Sequence, residues 1–240
     1  MSDPVDIKIA HINKTETTSN AFNKETVFEI FSKSNFEALA PFYKFQQTWV
    51  NKAFEAFKDF DTYLILMYLK QKIYVDYSDR FHYMSADAFY SQDKIAIDKI
   101  NLIQISKSLN IPKETIRRKV NYLQEKEIIF RSGKSIYLNS KALEIVKPKN
   151  TLPMLAIFFE KMSLILSKEN WFGRPINREN IEQFIKDHFT VCWEYFYRFQ
   201  IPYLVRHRTF FGDLESWNVW GSIVIVQTSA CLKENEKISR

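Results

Sequence analysis

The chain has 240 residues, 46% of them hydrophobic and 16% aromatic, which is enough to build a buried core in one large or two small domains. Cys192 and Cys231 are too few for a disulfide framework and too far apart for a redox pair or a zinc knuckle, so we expect reduced thiols and a cytoplasmic location. With only four glycines and seven prolines, the composition argues against a turn-rich sandwich or barrel and favours a mainly α fold.

The net charge of +6 is concentrated in one fifth of the chain. Residues 101–150 contain eleven lysines and arginines against four glutamates, a local net charge of +7, whereas the other 190 residues sum to −1. A local basic patch of this kind is typical of a surface that binds a polyanion.

The N-terminal part of the chain predicts a flexible tail followed by a helical region over residues 21–98. Residues 1–20 are polar and contain no recognisable secretory signal. Residues 21–33 and 35–60 repeat apolar side chains at helical spacing, with an interruption near Pro41. Asp61 is expected to cap a helix over residues 62–73, and residues 74–98 are expected to be irregular apart from a short helix at 86–90.

Residues 101–139 hold the clearest pattern. Apolar side chains at helical spacing mark two short helices: Leu102, Ile103, Ile105 and Leu109 in the first, and Ile116, Val120 and Leu123 in the second. Pro112 suits the start of the second helix, where its missing N–H would be unsatisfied in any case. Two β-prone runs, 128–130 and 135–138, then flank a basic turn that contains Gly133. We therefore predict a central domain over residues 99–147, built from a helix-turn-helix and a small hairpin.

The segment LIQISKSLNIPKETIRRKVNYLQEKEIIFRSGKSIYL resembles the DNA-binding part of bacterial winged helix-turn-helix regulators of the multiple-antibiotic-resistance, Crp and GntR groups. The resemblance covers about forty residues. The matching positions are Ser106, Ser108, Leu109, Ile111, Pro112, Thr115, Arg117, Arg118, Leu123, Ile128 and Gly133. It implies that the second helix enters the major groove of DNA and that the hairpin, or wing, lies beside it.

Helical geometry predicts which side chains of the second helix face outward. With Ile116, Val120 and Leu123 toward the core, polar and charged residues occupy the opposite face and its flanks. We expect base contacts from Arg117, Arg118 and Asn121, since Arg pairs with guanine and Asn with adenine. The residues expected mainly at phosphates are Lys113, Thr115, Lys119 and Tyr122.

The predicted wing adds Arg131 and Lys134, which the resemblance places against the flanking DNA backbone or minor groove. Glu114, Glu125 and Glu127 dilute the positive charge, and Glu114 would repel phosphate unless it accepts a hydrogen bond from a cytosine amine. The alternative is a winged helix that docks a protein or RNA partner without sequence-specific binding to DNA.

The C-terminal part predicts an aromatic-rich helical region over residues 151–232, after a boundary at 147–150. A helix is expected over residues 155–166, with Pro153 near its start, and two further helices are expected over 177–197 and 214–232. The two most apolar windows, 152–166 and 219–232, are shorter than a bilayer-spanning helix and are interpreted as buried helices, so no membrane partner is expected.

Residues 188–220 contain eleven aromatic side chains. They are interpreted as core or as a homodimer interface, or alternatively as a pocket for a small-molecule effector in which Arg198, Arg206, His207 and Arg208 bind an anion. Homodimerisation is expected because helix-turn-helix proteins bind symmetric sites.

Metal and catalytic chemistry have little support in the sequence. His188 and Cys192 share one helical face, but no second pair of ligands accompanies them. A glycine-rich phosphate loop, a nucleophile elbow and a zincin helix are all missing from the sequence. We therefore expect no cofactor and no enzymatic activity.

Overall fold

The computed structural model describes residues 24–81, 83–92, 94–97, 101–132, 135–139, 151–170 and 173–238. These ranges are mainly helical and include one small three-stranded antiparallel sheet. The mainly α prediction is therefore confirmed. The predicted boundary at 147–150 and the predicted tip of the hairpin at 133–134 lie outside the described residues.

Two long helices form the N-terminal region, α1 (Lys24–Phe57) and α2 (Phe60–Phe81). The expected interruption near Pro41 is wrong, because α1 continues through it. Proline removes one backbone hydrogen bond, and packing on both sides of Pro41 compensates: Ile30 and Ala38 are buried before it, and Phe45 and Trp49 after it.

The start of α2 also differs from the prediction. Asp59, not Asp61, caps the helix, with its Oδ2 accepting from the backbone N of Thr62 at 3.1 Å and from the Thr62 hydroxyl. Asp61 instead forms an ion pair with Arg208, with 2.9 Å between Oδ1 and Nε. The helix runs eight residues past the predicted end at residue 73 because its inner face keeps packing against the C-terminal helices.

A short helix and a strand follow. Helix α3 (Ala86–Tyr90) occupies the predicted range, and Ser85 caps it. Strand β1 (Lys94–Ile97) was predicted to be irregular, since four residues are too few to show a periodic signal. Its Ile95 is fully buried, which fixes the strand against the core.

The central segment contains α4 (Leu102–Leu109), α5 (Lys113–Glu125), β2 (Ile129–Ser132) and β3 (Ser135–Asn139). Asn101 caps α4 by accepting from the backbone N of Ile103 at 2.9 Å, and Asn110 ends α4 in the left-handed conformation with φ of 53°. Strand β3 lies between β1 and β2 and is antiparallel to both, with Leu138 opposite Ile95 on one side and opposite Ile129 on the other.

The C-terminal region contains α6 (Thr151–Lys168), α7 (Arg178–Asp187), α8 (Phe189–Phe211) and α9 (Leu214–Ile238). The predicted helix over 177–197 is in fact two helices that meet at His188. Helix α8 continues past the predicted end at residue 197 and through Pro202, because Gln200, Ile201 and Leu204 are buried around the proline.

Helix α2 lies at the centre of the molecule. It packs most extensively against α8 and also contacts α1, α4, α5 and β1, while α1 packs between α6 and α9. One continuous cluster of buried side chains joins these layers, including Trp49 of α1, Leu69 of α2, Leu123 of α5 and Trp217 of α9. The inner face of α5 is therefore held against a large core, and its outer face is left to solvent.

The expectation that residues 219–232 form a buried helix is wrong for one side of α9. Trp217, Gly221 and Thr228 face inward and are buried, but Val219 and Val226 are 66% and 70% exposed. Residues at this spacing lie on one helical face, so α9 presents an apolar strip to solvent. None of the helices within the described ranges has the length and hydropathy needed to cross a bilayer.

Candidate nucleic-acid interface

The inner face of α5 fixes the orientation of the whole helix. Ile116, Val120 and Leu123 are completely buried against the core, as the helical spacing predicted. These three side chains occupy one stripe along the helix, and every residue on the opposite side must face solvent. The outward direction of Arg118 and Asn121 follows from this anchoring.

The outer face of α5 forms a shallow depression of about 660 Å³. Its lining residues are Glu114, Thr115, Arg117, Arg118, Asn121, Tyr122 and Glu125. Five of the nine predicted contact residues are therefore brought together on one surface, together with two of the three glutamates that were expected to dilute its charge.

The two neighbouring arginines of this depression differ in their partners. Arg117 is held by Glu114, with Nη2 at 2.8 Å and Nε at 3.1 Å from the same carboxylate oxygen. Arg118 is exposed and makes no ion pair with any described residue. Arg118 is thus the guanidinium that is available to a ligand without first losing an internal partner.

Lys119 has a different environment from the other predicted contact residues. Its Nζ lies 2.6 Å from Oδ2 of Asp59, and the two side chains are only 21% and 27% exposed. Burial raises the pKa of Asp59, but the hydrogen bonds from Lys119 and Thr62 outweigh that effect and hold the pKa below its ordinary value. Lys119 therefore ties α5 to the junction of α1 and α2 and does not line the outer depression.

Further exposed cations lie outside the depression. Lys113 is exposed in the first turn of α5, and Arg131 is exposed on β2. Lys126, which the sequence did not single out, places its Nζ 5.8 Å from the centre of the Tyr122 ring. Lys134 lies outside the described residues.

The turn between α4 and α5 is fastened from two directions. Within the turn, the Ser106 hydroxyl donates to the carbonyl oxygen of Ile111 at 2.6 Å. From α8, Nη1 of Arg208 donates to the carbonyl oxygen of Asn110 at 3.0 Å, and Nδ2 of Asn110 donates to the Thr209 hydroxyl at 3.3 Å. The two contacts from α8 join residues almost a hundred positions apart, so no local sequence signal could reveal them.

The metal hypothesis gains no support from the described residues. They contain no group of three or more His, Cys, Asp and Glu side chains arranged to hold an ion. Burial raises the pKa of the Cys192 thiol to about 11, so the sulfur remains protonated at neutral pH. Nδ1 of His188 lies 3.1 Å from the carbonyl oxygen of Phe184.

Comparison with known proteins does not assign a family. The chain matches no protein-family model, and no significant match is found among curated proteins or solved structures. Function is therefore inferred from the residues and the geometry of the site.

Proposed function

We propose that this protein is a cytoplasmic transcriptional regulator that binds duplex DNA by placing α5 in the major groove, as in a winged helix-turn-helix. The observation that supports this most is the outer face of α5, which gathers Arg118, Asn121 and Tyr122 on one surface while the inner face is fully buried. The order helix, three-residue turn, helix and hairpin is the one that the resemblance implies.

The dimensions and chemistry of α5 suit this role. Its 13 residues extend about 20 Å, and the major groove, about 12 Å wide, accepts a single helix. Arg118 is the candidate for a bidentate contact with guanine and Asn121 for one with adenine. Thr115 and Tyr122 on the same surface, and the exposed Lys113 in the first turn, are the candidates for phosphate contacts.

Glu114 is expected to affect the sequence specificity of DNA binding more than the affinity for DNA. Glu114 already has a cationic partner in Arg117, so its charge is neutralised locally before DNA arrives. If Arg117 turns to the DNA, Glu114 becomes free to accept a hydrogen bond from a cytosine amine and would repel other groups at that position. The exposed Arg131 on β2 is the candidate for a contact with the flanking backbone, the role that the resemblance implies for the wing.

A second copy of the chain is part of the proposal. The exposed strip of α9, formed by Val219, Ile223 and Val226, lies within a run of seventeen uncharged residues, 216–232. Apolar side chains at spacings of four and three suit pairing with another helix of the same period, and symmetric DNA sites favour a two-fold dimer. Analytical ultracentrifugation should show a dimer at micromolar concentration, and a monomer would contradict this part.

Selection from a random duplex library tests the function. We expect successive rounds to enrich a recurring sequence, and we expect binding to weaken steeply as salt increases because phosphate contacts release counterions. A module that docks a protein or an RNA would enrich no duplex sequence. Failure to enrich, together with salt-insensitive binding, would overturn the proposal.

A further inference from the structure

A second concave surface lies far along the chain from α5, where α8 ends and the chain turns into α9. It is an open groove of about 940 Å³, lined by Arg206, His207, Thr209, Phe210, Phe211 and Trp220. The turn is made at Gly212, whose φ of +88° is readily adopted only by glycine. The groove therefore lies at the corner between α8 and α9, and its lining is both cationic and aromatic.

Aromatic rings form the walls of this groove. The Phe211 ring lies 5.4 Å from Trp220 and 5.0 Å from Phe210 between centroids, and it is nearly parallel to the His207 ring, with 10° between their planes. Phe210 is 81% exposed, although a ring of this size gains most from being covered. Flat, partly uncovered rings are suited to a planar aromatic ligand, which would stack against them.

The groove also contains a cation that has no partner among the described residues. Arg206 makes no ion pair or hydrogen bond with a described residue, whereas Arg198 pairs with Glu194 and Arg208 pairs with Asp61. An unpaired guanidinium beside apolar rings binds a carboxylate or sulfonate through two parallel hydrogen bonds. The sequence grouped Arg198, Arg206, His207 and Arg208 as anion-binding residues, and only Arg206 and His207 line the groove.

His207 contributes an oriented ring. Its Nδ1 lies 2.8 Å from the carbonyl oxygen of Tyr203, so this nitrogen donates and Nε2 is left for another partner. The Tyr203 ring is 4.2 Å away and the Trp217 ring 5.3 Å away, which restrict the imidazole. The His207 ring is therefore a fixed part of the wall.

We propose that this groove binds a small planar aromatic anion, with Arg206 holding the anionic group and the rings of Phe211 and Trp220 holding the aromatic part. The groove is distinct from the surface of α5.

Hydrogen bonds connect the groove directly to the turn between α4 and α5. Thr209 lines the groove and accepts from Nδ2 of Asn110, and the neighbouring Arg208 donates to the Asn110 carbonyl. Asn110 is the left-handed residue that ends α4, so a shift of the last turn of α8 acts directly on the turn that sets the position of α5. The ligand is inferred to regulate DNA binding, a role that rests on the proposed function.

Isothermal titration calorimetry tests the ligand site with 2-naphthoate as the anionic probe and 2-naphthamide as its neutral counterpart. We expect one naphthoate site per chain, at least tenfold weaker binding of naphthamide, and at least tenfold weaker naphthoate binding to Arg206→Gln. Arg198→Gln is the matched control on the same helix, and it should bind naphthoate as the wild type does. Equal naphthoate affinity in the wild type and Arg206→Gln, or equal affinity for the two probes, would overturn the proposal.

Nuclear magnetic resonance of the ¹⁵N-labelled full chain tests the route to the turn without requiring DNA. The amide signals of Asn110 and Ile111 should shift when naphthoate saturates the wild type, and should stay in place in Arg206→Gln at the same concentration. Naphthoate binding without a shift at either amide would refute the regulatory route. If the chain binds no duplex at all, the proposed function fails, while the calorimetry and the amide shifts still decide whether the ligand site and its link to the turn exist.

Discussion

Lys70 provides a prediction whose magnitude follows from its burial. Its side chain is only 6% exposed in the middle of α2 and makes no ion pair with a described residue. The neighbouring positions on the same face, Leu66, Ile73 and Tyr74, are also buried. Burial without a counterion penalises the ammonium form and lowers the pKa of Lys70 from 10.5 to about 8.

This lowered pKa destabilises the folded chain at neutral pH. Between pH 8 and pH 10.5 the unfolded chain binds the Lys70 proton more readily than the folded chain does, so the contribution of Lys70 to the free energy of unfolding rises with pH. At 1.36 kcal/mol for each pKa unit, the penalty is about 3 kcal/mol at pH 7 and about 2 kcal/mol at pH 9.

The substitution Lys70→Met removes the charge and keeps most of the apolar stem. We expect it to raise the free energy of unfolding by about 3 kcal/mol at pH 7, and by about 1 kcal/mol less at pH 9. Urea denaturation at the two pH values measures both differences. Cys192 and the buried tyrosines have raised pKa values, and their titration affects wild type and variant alike, so it cancels in the comparison.

Lys72→Met is the matched control on the same helix. Lys72 is only partly buried, with its Nζ 5.3 Å from the centre of the Tyr68 ring, so its replacement should cost about 0.5–1 kcal/mol. That cost should be equal at pH 7 and pH 9. If Lys70→Met raises the free energy of unfolding by the same amount at both pH values, or lowers it at pH 7, the Lys70 ammonium is not buried without a counterion.

Three further predictions concern other parts of the chain. Arg118→Ala should weaken sequence-specific duplex binding by about 1–3 kcal/mol in fluorescence anisotropy, whereas Arg198→Ala, at another exposed arginine, should leave binding unchanged. Equal losses of affinity in the two variants would exclude a specific role for Arg118. Asp59→Ala should lower the free energy of unfolding by roughly 1–2 kcal/mol at pH 7 through loss of the cap. Because the folded-state pKa of Asp59 is lowered, the difference between variant and wild type in urea denaturation should disappear as the pH falls through that pKa, and a constant difference down to pH 2 would contradict this. A Cβ at Gly221 would overlap the side chain of Gln47, so Gly221→Ala should destabilise the chain by about 1–3 kcal/mol in urea denaturation. Adding Gln47→Ala should relieve part of that loss, whereas unchanged or increased stability of Gly221→Ala would show that Gln47 moves freely.

The helix-turn-helix segment was predictable because its signals are local. Pro112 precedes α5 and the apolar spacing of α5 identifies its buried stripe, so two short helices separated by a break at residues 110–112 were predicted from the sequence. The same spacing correctly placed Arg118 and Asn121 on the outer face. Capping and periodicity act within a few residues, which is why sequence alone is sufficient here.

The features that sequence reasoning missed depend on contacts between distant parts of the chain. Pro41 and Pro202 ordinarily interrupt helices, yet α1 and α8 continue through them because packing of their neighbours compensates for a lost hydrogen bond. The ion pair that withdraws Lys119 from the outer face needs Asp59, and the fastening of the turn needs Arg208. Neither partner can be identified until the fold brings the elements together.

The most direct test of the central claim, that α5 and β2 hold duplex DNA, is the salt dependence of binding in a charge-matched comparison. Each neutralised phosphate contributes about 0.9 to the slope of log affinity against log salt concentration. Removing Lys113 and Arg131 together, as Lys113→Gln with Arg131→Gln, should therefore make the slope shallower by about 2. Removing two exposed lysines elsewhere, as Lys161→Gln with Lys186→Gln, should leave the slope unchanged. If the two double variants give the same slope, the proposed surface does not hold DNA.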